Sequence, residues 1–548
     1  LCVTAMCATA VMHAGNRGQP MVDRGTGGDS PGVDGNDDAA AGRLALRAER
    51  LDGALDALRS ASRVTHGAKV PRLLDAARQV LAEDGGLALL RERIGELDAA
   101  GIFRGSDWDQ PDRLVPALAR QALGSPDAAT VVIEVLSQLR FLAIAEGGYA
   151  QPPLTPAAAH SHLVRVVALN LSILFGIAGE AEREQGERLA GIARSALAFI
   201  VDRLGFEQVI DELIAEIWRI LEQRPIRVEP VREMITQIAR CLQDPAIDLG
   251  GSGRGAERLV SSLYGPTRAC SEDPGVDGYA QRLAAMDAVA LQGEVLGLAR
   301  SMHDTGLVSP YHAVAVRHLL DSNQGTLLPD VLGLSSTGRD CLLCYQGLVH
   351  ALVEAAIHPQ SCQALYGLAL MLERGILYQP PVAPALWRQL RLVLAPTARE
   401  RLLQTYGDVP APEQQLLAGV LAVLGQPLGI GQGNNPTCQS ARALSMWSYS
   451  EPDYLLQMVA WAARDDEIIM HFEGDAISSR GGGPAPPPIL GFDLDPVSLL
   501  VVPHLDHIYA QMMQRCIGRA EDPHRWVNPE FHGWWAGRGF RINVDVAT

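Results

Sequence analysis

Residues 431–447 read GQGNNPTCQSARALSMW, and this stretch divides a long helical region from a C-terminal part of different character. Its first half contains two glycines, two asparagines and a proline, a composition that disfavours a helix. Its second half is rich in Ala, Leu and Met, which are good helix formers. The stretch therefore predicts a loop followed by a helix. We expect the side chain of Thr437 to cap this helix by accepting a backbone N–H bond.

Cys438 falls in the first turn of the predicted helix. Unpaired backbone N–H groups and the positive end of the helix dipole stabilise a thiolate at this position. If solvent can reach it, such a cysteine is a nucleophile at neutral pH. The alternative is a small buried residue at a loop-to-helix junction, which is an ordinary role for cysteine.

Upstream of this stretch, a helical pattern of apolar residues runs from about Arg43 to residue 430. Leu44, Leu51, Leu55 and Leu58 mark one face of its first helix. Further helices are predicted at residues 112–123, 129–146, 158–178, 187–203, 206–223, 227–243, 279–303, 309–321, 340–357, 360–376, 383–394, 397–406 and 411–424. Helix pairs joined by short loops are typical of an α-solenoid or an irregular helical bundle.

The composition also predicts the domain organisation. Residues 1–42 have little to bury and are predicted to be a disordered tail. A helical domain over 43–248, a glycine-rich linker over 249–278 and a second helical domain over 279–430 follow. Residues 431–548 are predicted to form a small C-terminal α+β domain. The predicted fold class is therefore mainly α, with a solenoid- or bundle-like N-terminal and central part.

Charge and cysteine content restrict the partners and the compartment. The net charge of −17 argues against nucleic acid as a main partner. Nine irregularly spaced cysteines do not form a disulfide framework, so we expect a reducing compartment, the cytoplasm, although delivery to another cell stays open. Cys341 and Cys344 form a C-x-x-C pair in an apolar run and are predicted to be core residues. We expect no cofactor and no membrane span.

The last part of the chain combines strands, a helix and histidines. Strands are predicted at 467–472 and 540–546, a helix at about 496–517, and a flexible Gly-Pro loop at 478–488. Five of the fourteen histidines lie here: His471, His504, His507, His524 and His532. Strand alternation places Arg541, Asn543 and Asp545 on one face, where a polar side chain could reach His532 on a neighbouring strand.

The order of these residues resembles that of a known group of enzymes. Cys438 at a helix start, then His532 followed by a tryptophan, then Asp545, resembles the Cys–His–Asp order of transglutaminase-like enzymes and the wider papain-like superfamily. The resemblance covers the C-terminal part only. It implies a thiol nucleophile, a histidine base, and Asn543 or Asp545 as the group that orients the imidazole. It also implies that Gln432 helps to bind the oxyanion.

We therefore expect a cysteine-dependent acyl-transfer enzyme that acts on a protein or peptide amide: a protease, amidase, deamidase or transglutaminase-like enzyme. In this hypothesis Cys438 forms a thioester, and His532 takes the thiol proton and returns it to the leaving amine. The sequence does not identify the substrate or the oligomeric state, and it does not decide which histidine pairs with Cys438.

Two other functions fit the same sequence. The first is a non-catalytic helical scaffold that binds another protein. The second is a metal-dependent hydrolase, because His504 and His507 share a helix face and could bind a metal with His524 or Asp506. Histidines that line a helix without any metal are the simpler interpretation of this pair.

Overall fold

The computed structural model describes residues 34–174, 187–243, 251, 253–271, 275–433, 435, 437–481, 494–520 and 527. Within them, helices dominate and the strands form one two-stranded sheet, which confirms the mainly α class with a small C-terminal α+β region. The chain divides into two compact units. The described residues of unit 1 come from 218–233 and from 257 onward, and those of unit 2 from 34–217 and 234–256.

The first part of the chain is a series of helices with short connections. In chain order they are α1 (Asp34–Arg59), α2 (His66–Leu81), α3 (Gly86–Glu92), α4 (Ile94–Ala99), α5 (Ala119–Leu123), α6 (Ala128–Ala145), α7 (Pro156–Leu169), α8 (Leu171–Leu174), α9 (Glu187–Leu204), α10 (Phe206–Glu222) and α11 (Glu229–Gln243). Short 3₁₀ turns lie at Pro111–Arg113 and Pro116–Leu118.

The second part continues in the same way until the hairpin. It comprises α12 (Gly253–Tyr264), α13 (Arg268–Ser271), α14 (Val276–Ala285), α15 (Ala288–Thr305), α16 (Pro310–Asp321), α17 (Leu328–Val331), α18 (Ser336–Cys344), α19 (Gln346–Ala356), α20 (Ala364–Glu373), α21 (Val382–Gln389), α22 (Pro396–Tyr406), α23 (Pro412–Gly425), α24 (Cys438–Ser450), α25 (Pro452–Ala460), a π-helix (Trp461–Asp465), β1 (Ile469–Phe472), β2 (Asp475–Ser478) and α26 (Pro496–Arg515). Short 3₁₀ turns interrupt it at Gly325–Leu327, Pro359–Ser361, Ile376–Tyr378 and Pro427–Gly429.

Helix α6 forms the centre of unit 2 and is buried after its first turn. Among the described helices, it is the one long and apolar enough to cross a membrane. It nevertheless carries two buried charged residues, Glu134 and Arg140. The guanidinium of Arg140 lies 3.9 Å from the ring centre of Phe103, and Glu134 accepts a bond of 2.6 Å from the indole of Trp108. Polar side chains held by contacts of this kind are typical of the core helix of a folded unit.

Helix α23 is the centre of unit 1, because its residues are buried on every side from Gln415 onward. Its small residues allow two other helices to approach closely. A Cβ atom added to Gly367 of α20 would lie 2.6 Å from the Cα of Ala422, and one added to Gly425 would lie 2.1 Å from the carbonyl oxygen of Gly367. A Cβ atom on Gly419 would lie 2.9 Å from the side chain of Pro496, the first residue of α26. Backbone therefore packs directly on backbone between α20 and α23.

The only sheet of the described residues is the hairpin formed by β1 and β2, which pair antiparallel from Ile469 with Ser478 to Phe472 with Asp475. Phe472 and Ile477 are buried in the core of unit 1, as the strand alternation requires. The predicted strand at 467–472 is thus present, with its start two residues later. The predicted strand at 540–546 lies outside the described residues.

The predicted tail and the predicted linker differ from the structure. The predicted tail ended at residue 42, whereas α1 already begins at Asp34, where alanines follow acidic residues of the first turn. The predicted linker at 249–278 contains α12, α13 and the start of α14 instead. The glycines of α12 concealed an apolar face on which Ala256, Leu259 and Leu263 are buried.

The predicted break at residue 430 is not a boundary between compact units. The described residues on both sides of it belong to unit 1 and contribute to one continuous hydrophobic core. The α+β character predicted for 431–548 is present in the hairpin and α26, but these elements pack on α23 and its neighbours rather than on a core of their own.

The predicted helices are mostly present, and four of them are interrupted. The helix predicted at 112–123 consists of the 3₁₀ turns at Pro111–Arg113 and Pro116–Leu118, followed by the five-residue α5. The helix predicted at 158–178 ends at Leu169, and its side chain–backbone bond of 2.7 Å from Asn170 to the carbonyl of Val166 marks the break. Those predicted at 279–303 and 340–357 are each two helices. The apolar period continues across such breaks, so the period alone did not reveal them.

We predict that Gly367→Ala destabilises unit 1. The added methyl group would overlap the backbone of α23, and overpacking against atoms that cannot rotate away costs roughly 1–3 kcal/mol. The midpoint of thermal unfolding should fall by several degrees. In the matched control Gly293→Ala, no atom lies within 4 Å of the added Cβ. This helical substitution should be neutral or stabilising by up to about 1 kcal/mol. Equal midpoints for the two variants would contradict the close packing.

Candidate functional site

The loop before Cys438 is closed by its own amide groups. The side-chain nitrogen of Gln432 donates to the carbonyl of Asn435 at 2.9 Å, and that of Asn435 donates to the carbonyl of Gln432 at 3.0 Å. Gly433 has a φ of 57°, which glycine adopts without strain. The amide predicted to bind an oxyanion is therefore engaged within its own loop in this structure.

Helix α24 begins at Cys438, as predicted, and the side chain of this cysteine is exposed. Its Sγ lies 3.1 Å from Oε1 of Gln439, which accepts a hydrogen bond from the thiol. The predicted cap is wrong, however. Thr437 makes no side-chain bond to the helix, and its buried hydroxyl has no hydrogen-bond partner among the described residues. The backbone of Thr437, with φ of −118° and ψ of 35°, departs from the extended conformation that capping residues adopt.

The opposite side of α24 is joined to α26. Ser440 is fully buried and donates its hydroxyl proton to the carboxylate of Asp506. Burial raises the pKa of Asp506 to about 6, against the opposing effect of the bond from Ser440. Two residues turn an α-helix by about 200°, so Cys438 and Ser440 lie on opposite sides of α24. Cys438 therefore does not face α26.

His504 of α26 is buried and lies between a serine and a carboxylate. Its Nδ1 is 2.8 Å from Oγ of Ser479, just after β2, and its Nε2 is 3.7 Å from Oδ1 of Asp466. Burial lowers the pKa of His504 to about 4, although the Asp466 carboxylate opposes this shift. The ring is therefore neutral at pH 7. Asp466 follows the π-helix and has a φ of 51°.

His507 lies one turn further along α26, on the same helix face, as the spacing predicted. Its Nε2 is 2.8 Å from the carbonyl oxygen of Gly481. The two histidines therefore bind different groups of the hairpin region. Within the part of the chain that the structure describes, no three His, Cys, Asp or Glu side chains are placed to hold a metal ion. His504 and His507 have the geometry of residues that fix the hairpin to α26.

The other predicted site residues cannot be placed. His532, Asn543 and Asp545 lie outside the described residues, as does His524. The structure therefore gives no distance between any of these residues and Cys438. The two histidines of α26 contact residues of the hairpin region instead, and His471 is exposed on β1.

The cysteines separate into two classes. Cys241, Cys270, Cys341, Cys362 and Cys516 are buried, whereas Cys344 and Cys438 are exposed. None of these seven forms a disulfide with another described residue, and the remaining two lie outside the described residues. The prediction that both cysteines of the C-x-x-C pair are core residues is thus correct for one of them. Cys341 is buried in α18, and Cys344 is the last residue of that helix and faces solvent.

A second candidate site, which the sequence analysis missed, is an open groove of about 810 Å³ in unit 1. We call it the arginine groove. Its lining residues are Pro384, Trp387, Arg388, Arg391, Leu392, Val393, Gln457, Ala460 and Arg464. They come from α21, the segment after it, α25 and the π-helix. The volume is in the range of ligand sites in proteins.

The walls of the arginine groove are tied together by hydrogen bonds. The side chain of Gln389, at the end of α21, donates to the carbonyl of Leu456 in α25 at 2.8 Å. The backbone N–H of Ala395 donates to the carbonyl of Ala463 in the π-helix, also at 2.8 Å. Ala463 lies in the last turn of the π-helix, where carbonyls have no partner within the helix, and single π turns are frequent at functional sites. The groove is therefore formed before any ligand binds.

We found no family model, no curated protein and no solved structure that matches this chain. The resemblance to transglutaminase-like and papain-like enzymes accordingly stays a prediction.

We predict that Asp506→Asn stabilises the protein above pH 6 and leaves its stability unchanged below about pH 4. The folded pKa of Asp506, about 6, lies above the ordinary 3.8, so ionisation destabilises the fold as the pH rises through this window. The asparagine keeps an oxygen for Ser440. Allowing for partial solvent exposure, the gain should be roughly 1–2 kcal/mol. Urea unfolding at several pH values measures it, and a difference independent of pH would refute the assignment.

Proposed function

We propose that this protein works by binding a segment of a partner protein, with unit 1 as the binding module. The single observation that carries this proposal is the arginine groove, an open site of about 810 Å³ whose walls are already fixed to one another. Binding to a preformed site avoids the cost of ordering its walls. A stack of helices serves such a site well, because the helices hold the lining residues in constant positions.

The lining of the groove supports binding rather than catalysis. Trp387 is 39% exposed and Val393 is 73% exposed, so apolar side chains stand open to solvent beside arginines. Large exposed aromatic and basic residues are the types that dominate binding energy at protein interfaces. No nucleophile–base pair lines the groove. An acceptor for protein segments is therefore the function that these side chains suit.

Peptide selection tests this proposal. Random peptides displayed on phage should be enriched by the purified full-length protein, and the enriched peptides should bind at least about tenfold more weakly to Trp387→Ala. The matched control is Trp108→Phe, a change in unit 2 that should leave binding intact. A circular dichroism spectrum confirms that each variant is folded. No enrichment, or enrichment that Trp387→Ala leaves unchanged, would contradict the proposal.

A second candidate function is the cysteine-dependent acyl transfer expected from the sequence. The observation that favours it is that Cys438 is exposed at the first position of α24, whereas most described cysteines are buried. In this proposal the Cys438 thiolate attacks an amide carbon, and His532 transfers the thiol proton to the leaving amine. Water or an amine then releases the acyl group from the thioester. Asn543 or Asp545 would orient the imidazole, and Gln432 would have to leave its loop bond to reach the oxyanion.

The chain provides a matched control for the reactivity of this thiol. Cys344 is also exposed but is the last residue of its helix, where the dipole disfavours an anion. Iodoacetamide at pH 7 should therefore alkylate Cys438 about tenfold faster than Cys344, as measured by mass spectrometry of the tryptic peptides. His532→Ala should slow the alkylation of Cys438, and His524→Ala should not. Equal rates at the two cysteines would remove the basis of the thiol proposal.

A further inference from the structure

Two arginines of the arginine groove have no carboxylate partner among the described residues. Arg388 and Arg391 are exposed, and neither side chain makes a hydrogen bond or ion pair with another described residue. Arg464, also in the lining, is different, because it binds its neighbour Asp465 through two bonds of 2.8 and 2.6 Å. The chain has 63 acidic and 46 basic residues. The two arginines therefore form a positively charged patch on a protein whose net charge is negative.

We infer that the arginine groove binds an acidic segment of a partner protein, with two carboxylate side chains on Arg388 and Arg391 and an apolar side chain on Trp387 and Val393. This inference rests on the function proposed above and names the chemistry of the partner. The planar guanidinium presents paired N–H donors that match the two oxygens of a carboxylate. Such pairs set the register in which a segment binds, and they select a segment with negative charge.

The apolar side chains decide between a peptide and a simple anion. Trp387 and Val393 lie in the same lining as the two arginines, and Leu392 and Pro384 continue the apolar surface. An inorganic anion would leave this surface in water and gain nothing from it. An apolar side chain of a peptide would cover it and remove it from water, which favours binding. The mixed lining therefore favours a segment with acidic and apolar residues together.

The arrangement disfavours a nucleic acid. Proteins bind a phosphate backbone through many Lys and Arg side chains, because the affinity grows with the number of phosphates that are neutralised. The groove offers two arginines that no described carboxylate neutralises, in a chain with a net charge of −17. A flexible acidic peptide is small enough to use these two charges without approaching the acidic remainder of the surface.

The test uses a fluorescein-labelled peptide, Gly-Ser-Glu-Phe-Glu-Ser-Gly, and fluorescence anisotropy with the full-length protein. We expect saturable binding that weakens at least about tenfold in the double variant Arg388→Glu with Arg391→Glu, and similarly in Trp387→Ala. The matched control changes the same net charge elsewhere: Arg63→Glu with Arg72→Glu, two exposed arginines of unit 2 without described partners. It should bind within about twofold of the unmodified protein, since long-range charge effects are screened.

Peptide variants separate the chemistry of the partner from the existence of the site. Lysine in place of both glutamates should abolish binding, and serine in place of phenylalanine should weaken it. Equal loss in the control double variant, or equal binding of the lysine peptide, would overturn the inference. So would displacement of the peptide by millimolar inorganic phosphate, which would indicate a phosphate site. If random peptides without acidic residues are enriched and depend on Trp387, the proposed function stands and this inference fails.

Self-association is measured in the same samples. Analytical ultracentrifugation of the unmodified protein and of the Arg388→Glu, Arg391→Glu variant shows whether a second copy of the chain occupies the groove. We expect the same sedimentation for both. A dimer that the double substitution dissociates would assign the groove to a second copy and overturn the inference.

Discussion

The contact between Gly367 and Gly425 is the constraint on which unit 1 depends. Here the backbones of α20 and α23 touch, because neither position carries a Cβ atom. Helix α23 can then be buried on all sides, and other elements are fixed to its end. Arg374, just after α20, donates to the carbonyl of Leu424, and Ser448 of α24 donates to the carbonyl of Val423 at 2.7 Å. The bond from Ser448 fixes α24 to α23, and this contact also sets the position of Cys438 at the start of α24. Cys438 itself makes no described hydrogen bond with α23.

The sequence predicted the helices well because their pattern is local. Helix α23 was predicted at 411–424 from apolar residues alone, and the structure places it at Pro412–Gly425. The close packing around it also left a local signal, since Gly419, Ala422 and Gly425 recur every third residue. The linker predicted at 249–278 failed for the opposite reason. Glycines of its first half were interpreted as flexibility, although the residues that follow them form a buried helix face.

The candidate sites depend on contacts that are distant in sequence. The start of α24 at Cys438 could be predicted, because a change from Gly, Asn and Pro to Ala and Leu is visible within a few residues. The link from Ser440 to Asp506 spans 66 residues, and that from Ser479 to His504 spans 25. No local sequence pattern predicts either hydrogen bond. The arginine groove is similar, since Trp387 and Arg388 resemble the end of an ordinary amphipathic helix until α25 is packed beside them.

The faces of α24 restrict any thiol chemistry at Cys438. Ser440, Ala441, Leu444 and Trp447 are buried, so the helix uses that side for the core. Cys438 lies on the other side, away from α26, and both histidines of α26 bind the hairpin region. A histidine base for Cys438 must therefore come from a different element. Catalysis needs such a convergence of groups at one atom, whereas binding needs only a fixed surface with unsatisfied charge and exposed apolar side chains. The arginine groove has both within the residues described, and for this reason we propose binding ahead of catalysis.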